Sequence, residues 1–295
     1  MLGPLVAYLP TPRTADGGVG AESLGVLVDR AVSAGVDGIA VLGSSGGFAY
    51  LDRAQRRTVV DAAAEAVDGR VPVLAGIGAL TTRAVLEHAD DASRADALLL
   101  GTSAYLPLTP DEVVGLYRDV TAHAARPVWA YHNPRTTGVE MSTETLARIA
   151  ALDGIGGFKD RGTDAADLRR RYDAHRAAVP DDVEIGFSGD ALGVEGLLVG
   201  ARTWHCGLAG IIPEPFVAIA AAAVAGDRAG ALAAVERLRP WTDLAATWGA
   251  ARLAAVVGPL LGIEMGDLPR PLLMPPPGVR DQVAARLEDL TVLRA

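Results

Sequence analysis

Only one lysine, Lys159, stands among the 27 basic residues of this chain; the other cationic side chains are all arginine. The distinction is chemical. Arginine stays protonated, whereas a lysine taken out of water sheds its proton and becomes an amine nucleophile. Lys159 lies in "GIGGFKDRGTD", where an apolar run gives way to a polar, helix-starting stretch. Other reactive or hydrogen-bonding residues also sit where apolar runs end: Ser44 and Ser45 in "GSSGG", Tyr105 after "ALLLG", and Tyr131 closing "PVWAY". Ser188 and Asp190 follow "EIGFS", and His205 and Cys206 lie in "TWHCG". An amine, a phenol and a hydroxyl-rich loop are what imine chemistry on a 2-oxo acid requires. The amine adds to the ketone, water leaves, and the protonated Schiff base stabilises a neighbouring carbanion. A Gly/Ser loop at a helix start supplies hydrogen-bond donors for the carboxylate.

The segment "GSSGG" also fits G-x-S-x-G, the elbow that carries a hydrolase's nucleophilic serine. Such an elbow follows several strands of an existing sheet and an oxyanion loop. Here Ser45 follows only the second apolar run, and no His-Gly-Gly segment precedes it. Ser45 is therefore expected to hold a substrate group rather than attack one.

The elements that must position these residues are legible as an alternation. Short apolar runs at 5–9, 38–42, 72–76, 97–101, 127–131, 155–158, 184–188 and 203–207 are separated by amphipathic segments at 21–34, 52–67, 81–93, 111–124, 143–151, 163–177 and 191–199. Eight such units predict an α/β fold, a (β/α)8 TIM barrel over 1–212, with its active residues at the strand ends. Residues 213–295 are expected to form a C-terminal extension of the same unit, with three helices (214–226, 228–247 and 279–293) around Pro275-Pro276-Pro277.

Composition narrows the function classes. A net charge of −9 without a basic block argues against nucleic-acid binding. Cys206 is the only cysteine, so no intrachain disulfide forms, which suits a reducing cytoplasm. Pro4, Pro10 and Arg13 interrupt the start of the chain too early for a signal peptide, and the apolar stretch 216–226 is too short to span a membrane. No His, Asp or Glu spacing matches a metal site, and no cofactor is expected.

"GSSGG", "YHNPRTTG" and "GFKD", in this order and spacing, resemble the dihydrodipicolinate synthase / N-acetylneuraminate lyase family, whose patterns run approximately G-T-T-G-E, Y-N-x-P-x-x-[TS]-G and G-[IVF]-K-[ED]. The resemblance implies that Lys159 forms the Schiff base and Tyr131 shuttles protons beside it. It places Ser44 and Ser45 where the family's paired threonines bind the 2-oxo acid carboxylate, and Tyr105 at one of a tyrosine pair. It also implies a homotetramer or homodimer acting on a 2-oxo acid and an aldehyde.

The departures from the pattern are specific. Gly47 replaces the glutamate of the first motif. The arginine that the synthase uses for its second substrate falls at Thr136, with Arg135 one position early as the candidate for a substrate carboxylate. Asp160 in place of glutamate resembles the family's sugar-acid dehydratases, and His205 with Cys206 makes an unusual expected pocket wall. The favoured expectation is reversible aldol cleavage of a 2-oxo-3-deoxy sugar acid, or of a pyruvate adduct. The alternatives are a keto-deoxy sugar-acid dehydratase of the 5-dehydro-4-deoxyglucarate type, a 4-hydroxy-tetrahydrodipicolinate synthase, and a 2-oxo-acid-binding barrel without turnover.

Overall fold

Apolar runs of four to six residues bounded by Gly, Pro and Asp are too short for helices and pair as buried strands. The computed structural model, which describes residues 2–292, contains eight of them. In chain order the elements are β1 (Leu5–Tyr8), α1 (Ala21–Ala34), β2 (Gly38–Val41), α2 (Arg53–Val67), β3 (Val73–Gly76), α3 (Thr82–Asp91), β4 (Ala97–Gly101) and α4 (Pro110–His123). There follow β5 (Val128–Tyr131), the short α5 (Pro134–Thr137), α6 (Thr143–Ala150), β6 (Ile155–Asp160), α7 (Ala165–Ala178), β7 (Glu184–Ser188), α8 (Gly193–Val199) and β8 (Thr203–Cys206). The chain ends in α9 (Pro213–Val224), α10 (Arg228–Arg237), α11 (Arg239–Trp248), α12 (Ala250–Leu260) and α13 (Pro277–Val292). All eight strands are parallel and paired in sequence order, and β8 returns to β1 to close the barrel.

Two layers of apolar side chains hold it together. Val6, Tyr8, Ala40, Leu74, Leu99, Trp129 and Tyr131 fill the interior. Leu5, Ala7, Ile39, Val41, Ala130, Phe158, Phe187, Trp204 and Cys206 face the helices. The alternation follows from the two-residue repeat of a strand. It puts Lys159 and His205 inside the barrel while their chain neighbours Asp160 and Cys206 lie in the outer layer. Register does the rest: Lys159 stands opposite Tyr131 on β5 and Gly186 on β7, and Ser188 opposite His205 on β8.

Gly186 leaves the room that the His205 ring occupies. A Cβ there would fall within contact distance of Thr203 Oγ1 and His205 Nε2. Gly186→Ala is expected to destabilise the protein by about 2 kcal/mol, as overpacking of a filled core does. Urea unfolding of the variant checks this; an unchanged midpoint would show that the ring has space to move.

The C-terminal region corrects the expected three-helix extension. Helix α9 packs against β1, α1 and α8 and completes the helical ring, so the appended helices begin at α10. The segment expected as one helix at 228–247 divides at Leu238, because Pro240 lies in the first turn of α11, where its missing N–H is tolerated. A further helix, α12, was not anticipated; Gly258 and Pro259, which read as helix breakers, lie within it. Residue 293 of the last expected helix lies outside the described residues. Among those described, no helix is long and apolar enough to cross a membrane.

Candidate active site

The C-terminal ends of the strands open into a cavity of about 610 Å³, with Lys159 in its wall. The barrel supplies Tyr8, Ser44, Ser45, Tyr131, Lys159 and His205 to it, and α11, α12 and the following loop supply Trp248, Arg252 and Leu268. The helical extension thus forms one side of the mouth.

Lys159 is 4% exposed. Its Nζ lies 3.7 Å from the centroid of the Tyr8 ring and 4.3 Å from that of Tyr131, two aromatic faces that hold the side chain in place. Among the described residues no acceptor hydrogen-bonds the amine and no carboxylate pairs with it. Burial therefore dominates and brings its pKa down to about 7; Asp190 pulls the other way, and Arg161 adds to the lowering. A large fraction of this amine is uncharged at neutral pH.

The Tyr131 hydroxyl accepts a hydrogen bond from Asn133 Nδ2 at 2.9 Å, and the same amide nitrogen donates to Thr136 Oγ1 at 3.1 Å. The Tyr8 hydroxyl pairs with His205 Nδ1 at 3.1 Å, and His205 Nε2 with Thr203 Oγ1 at 2.9 Å. Burial, and then the charge on Tyr131, raises the Tyr8 pKa; burial, and then the Lys159 cation, lowers that of His205. Both shifts favour the neutral phenol and the neutral imidazole, and His205 is a wall residue tied to Tyr8.

The Gly/Ser loop lies on the β2 side of the same cavity. Ser45 is buried and its hydroxyl donates to the Tyr8 carbonyl at 3.4 Å, while Ser44 is exposed to the cavity. Among the described residues the Ser44 and Ser45 amide N–H groups have no acceptor, which leaves two backbone donors and the Ser44 hydroxyl for a carboxylate. Leu42 adopts a left-handed φ of 57° at the loop entry, and its carbonyl passes over Gly76 so closely that a Cβ there would collide with it.

Two expected site residues are not in the cavity. Tyr105 is 92% exposed on the loop after β4, because the chain turns outward beyond the buried Thr102, whose hydroxyl donates to Tyr117. Cys206 lies on the outer face of β8, fully buried, with Sγ 3.3 Å from Asp190 Oδ1. It shares a strand with His205 but faces the opposite way. Arg135 does reach the cavity wall, from an exposed position on α5. Conversely, Tyr8, Asn133 and Arg161 line the cavity and were not anticipated. Tyr8 ends "LVAY", so the rule that singled out the other strand ends applies to it equally.

Asp160 is fully buried behind Lys159, where its Oδ1 accepts from His132 Nδ1 at 2.7 Å and its Oδ2 from His175 Nε2 at 2.8 Å. Burial alone would raise its pKa, but the hydrogen bonds and charge of the two imidazoles hold it well below the usual carboxylate range. The Met141 amide donates to His132 Nε2, so the cluster fastens β5, β6, α7 and the chain before α6 around the strand that carries Lys159. Among the described residues no group of three His, Cys, Asp or Glu side chains is placed to hold a metal ion.

The model of the dihydrodipicolinate synthetase family matches residues 1–289. The chain belongs to this family. It is 34% identical to a dihydrodipicolinate synthase of Agrobacterium tumefaciens whose crystal structure superposes with a TM-score of 0.93 over 98% of each chain. It is 37% identical over 227 residues to a DapA-like lyase of Halobacterium salinarum, covering 76% of this chain and 72% of that one. With a 4-hydroxy-tetrahydrodipicolinate synthase of Teredinibacter turnerae it shares 33% identity over 228 residues, 76% of each chain. As a member of the dihydrodipicolinate synthetase family the chain is a lyase of the class I aldolase type, working through a lysine Schiff base.

Against the family pattern, the departure at Gly47 has a local cause. Gly47 has φ 63° and ψ 30°, a left-handed conformation that glycine adopts freely and a glutamate would adopt at a cost. Asp160, another departure, touches His132 and His175 rather than the cavity. The sequence argument that linked it to the dehydratases therefore has no contact with substrate to rest on.

Proposed function

We propose that the protein catalyses reversible aldol cleavage of a 2-oxo-3-deoxy sugar acid, with pyruvate as the donor in the condensation direction and Lys159 as the Schiff-base residue. One observation carries the reading: the only lysine of the chain is buried at the barrel mouth between two tyrosine rings, with its pKa at about 7. In the cleavage direction the neutral amine adds to C2 of the 2-oxo acid and water leaves. The C4 hydroxyl then gives its proton to Tyr131 as the protonated imine takes the electron pair of the breaking C3–C4 bond, and an aldehyde leaves. The enamine collects a proton at C3, and hydrolysis returns the amine and the 2-oxo acid. Tyr131 relays the protons lost and gained at the C2 oxygen and nitrogen. The Ser44 and Ser45 amides and the Ser44 hydroxyl hold the C1 carboxylate, and His205 braces Tyr8. Exposed Tyr105 and Leu106 after β4 support a homodimer or homotetramer as the working assembly.

The test is borohydride reduction in the presence of pyruvate, followed by peptide mass spectrometry. A reduced adduct on the Lys159 peptide is expected. Since only the uncharged amine attacks, the trapping rate should fall about tenfold per pH unit below pH 7 and level off above it. Folded protein that gives no adduct with pyruvate in large excess would overturn the assignment, and a break near pH 10 would show that the amine is solvated.

A further inference from the structure

Arg161 follows the nucleophile by two residues and lines the same cavity. It is half-buried, and no hydrogen bond or ion pair engages its guanidinium; among the described residues no other arginine short of full exposure is so placed. Its neighbours differ. Arg13 donates to the Gly17 carbonyl, and Arg252 to the Leu273 and Trp248 carbonyls. The acids of the cavity, Asp190, Asp243 and Asp267, all lie beyond ion-pair distance from it, and Asp190 Oδ1 already accepts from the Gly207 and Leu208 amides at 2.7 and 2.9 Å. A partly desolvated, unpaired guanidinium is costly until an anion meets it, and its planar fork matches carboxylate and phosphate alike.

The topology says which part of a substrate would meet it. In an eight-stranded barrel closed in sequence order, β2 and β6 lie opposite each other. A 2-oxo acid held by its C1 carboxylate at Ser44 and Ser45 and by C2 at Lys159 therefore extends from C3 onward toward the β6–β8 side. There Arg161 Nη1 lies beside Gly189, 3.9 Å from where a Cβ on that glycine would stand, and both residues line the cavity. At about 610 Å³ the cavity holds far more than a three-carbon acid.

We propose that Arg161 binds a second anionic group, carboxylate or phosphate, on the part of the substrate beyond C3. This rests on the Schiff-base reading of Lys159 and names the substrate class within it: 2-oxo acids with an anion at the far end.

The experiment measures half-saturating concentrations for borohydride trapping with matched pairs of 2-oxo acids, in wild type and Arg161→Gln. One pair is 2-oxopentanoate and 2-oxoglutarate, for a distal carboxylate. The other is 2-oxo-3-deoxygluconate and its 6-phosphate, for a distal phosphate. Removing the Arg161 charge raises the Lys159 pKa, so both proteins are compared at about pH 9, where the amine is largely neutral in each. In wild type, one charged member is expected to half-saturate at a concentration about tenfold or more below its neutral partner. In Arg161→Gln that advantage is expected to shrink to about threefold or less, with pyruvate and the neutral acids trapped as in wild type. Equal half-saturation within both pairs of wild type, or an advantage that survives in the variant, would overturn the proposal. Pyruvate trapped normally alongside such a result leaves the Schiff base intact, whereas no pyruvate adduct in wild type overturns both.

Discussion

Lys159→Met is expected to abolish Schiff-base formation while making the protein more stable. No borohydride adduct should form with any 2-oxo acid, and turnover should fall by more than about 10⁴-fold, the scale of losing a covalent nucleophile. The stability gain follows from the same burial that activates the amine. The folded-state pKa is lowered from 10.5 to about 7, so below about pH 7 folding forces an ammonium into a desolvated site. That cost is on the order of a few kcal/mol, offset in part by the two ring faces. Between pH 7 and 10.5 the unfolded chain keeps a proton that the folded one has shed, so wild-type stability rises with pH across this window. The advantage of the methionine variant should be full at about pH 6 and gone by about pH 10.5, as read by urea unfolding at each pH. An equal or lower midpoint at pH 6 would mean that the lysine charge is accommodated. On sequence alone Lys159→Arg looks like the mild change because it keeps the charge, yet a group 4% exposed and unpaired cannot hold a guanidinium cheaply. That variant is expected to lose both the adduct and stability.

Tyr131→Phe is expected to retain adduct formation but slow it by about 10²- to 10³-fold, the effect of removing acid–base help at carbinolamine formation. The ring, 4.3 Å from Nζ, remains to hold the lysine, so the final extent of trapping should match wild type. Asn133 loses one hydrogen-bond partner and keeps Thr136, which limits the stability cost to about 1 kcal/mol. Tyr8→Phe is the control, since the Tyr8 hydroxyl is engaged by His205. Stopped-flow or quenched trapping separates rate from extent, and a Tyr131→Phe rate within threefold of wild type would assign the proton relay elsewhere.

The chemistry of this protein was legible where residue type alone carries it. A solitary lysine in an arginine-rich chain, ending an apolar run, marks a position that the barrel places in the cavity wall. Eight runs alternating with amphipathic segments announce a parallel barrel, because both signals arise from local periodicity. The helix over 250–260 escaped because Gly258 and Pro259 lie within it and read as breakers.

What the sequence by itself determined was therefore the family and the order of strands around the barrel. The tertiary structure alone decided which way each strand-end side chain faces and what meets it there. His205 and Cys206 are adjacent in the chain, yet one enters the cavity and the other the helix layer, because successive strand residues point to opposite faces. Asp160 is turned away from the substrate side by the same rule. Tyr8 reaches Lys159 only because the barrel brings β1 and β6 to one interior, and Tyr105 leaves the site because its loop turns outward. The lysine pKa and the unpaired state of Arg161 depend on which distant groups approach and which do not. Burial and pairing are sums over neighbours far apart in the chain, and only the closed barrel specifies those neighbours.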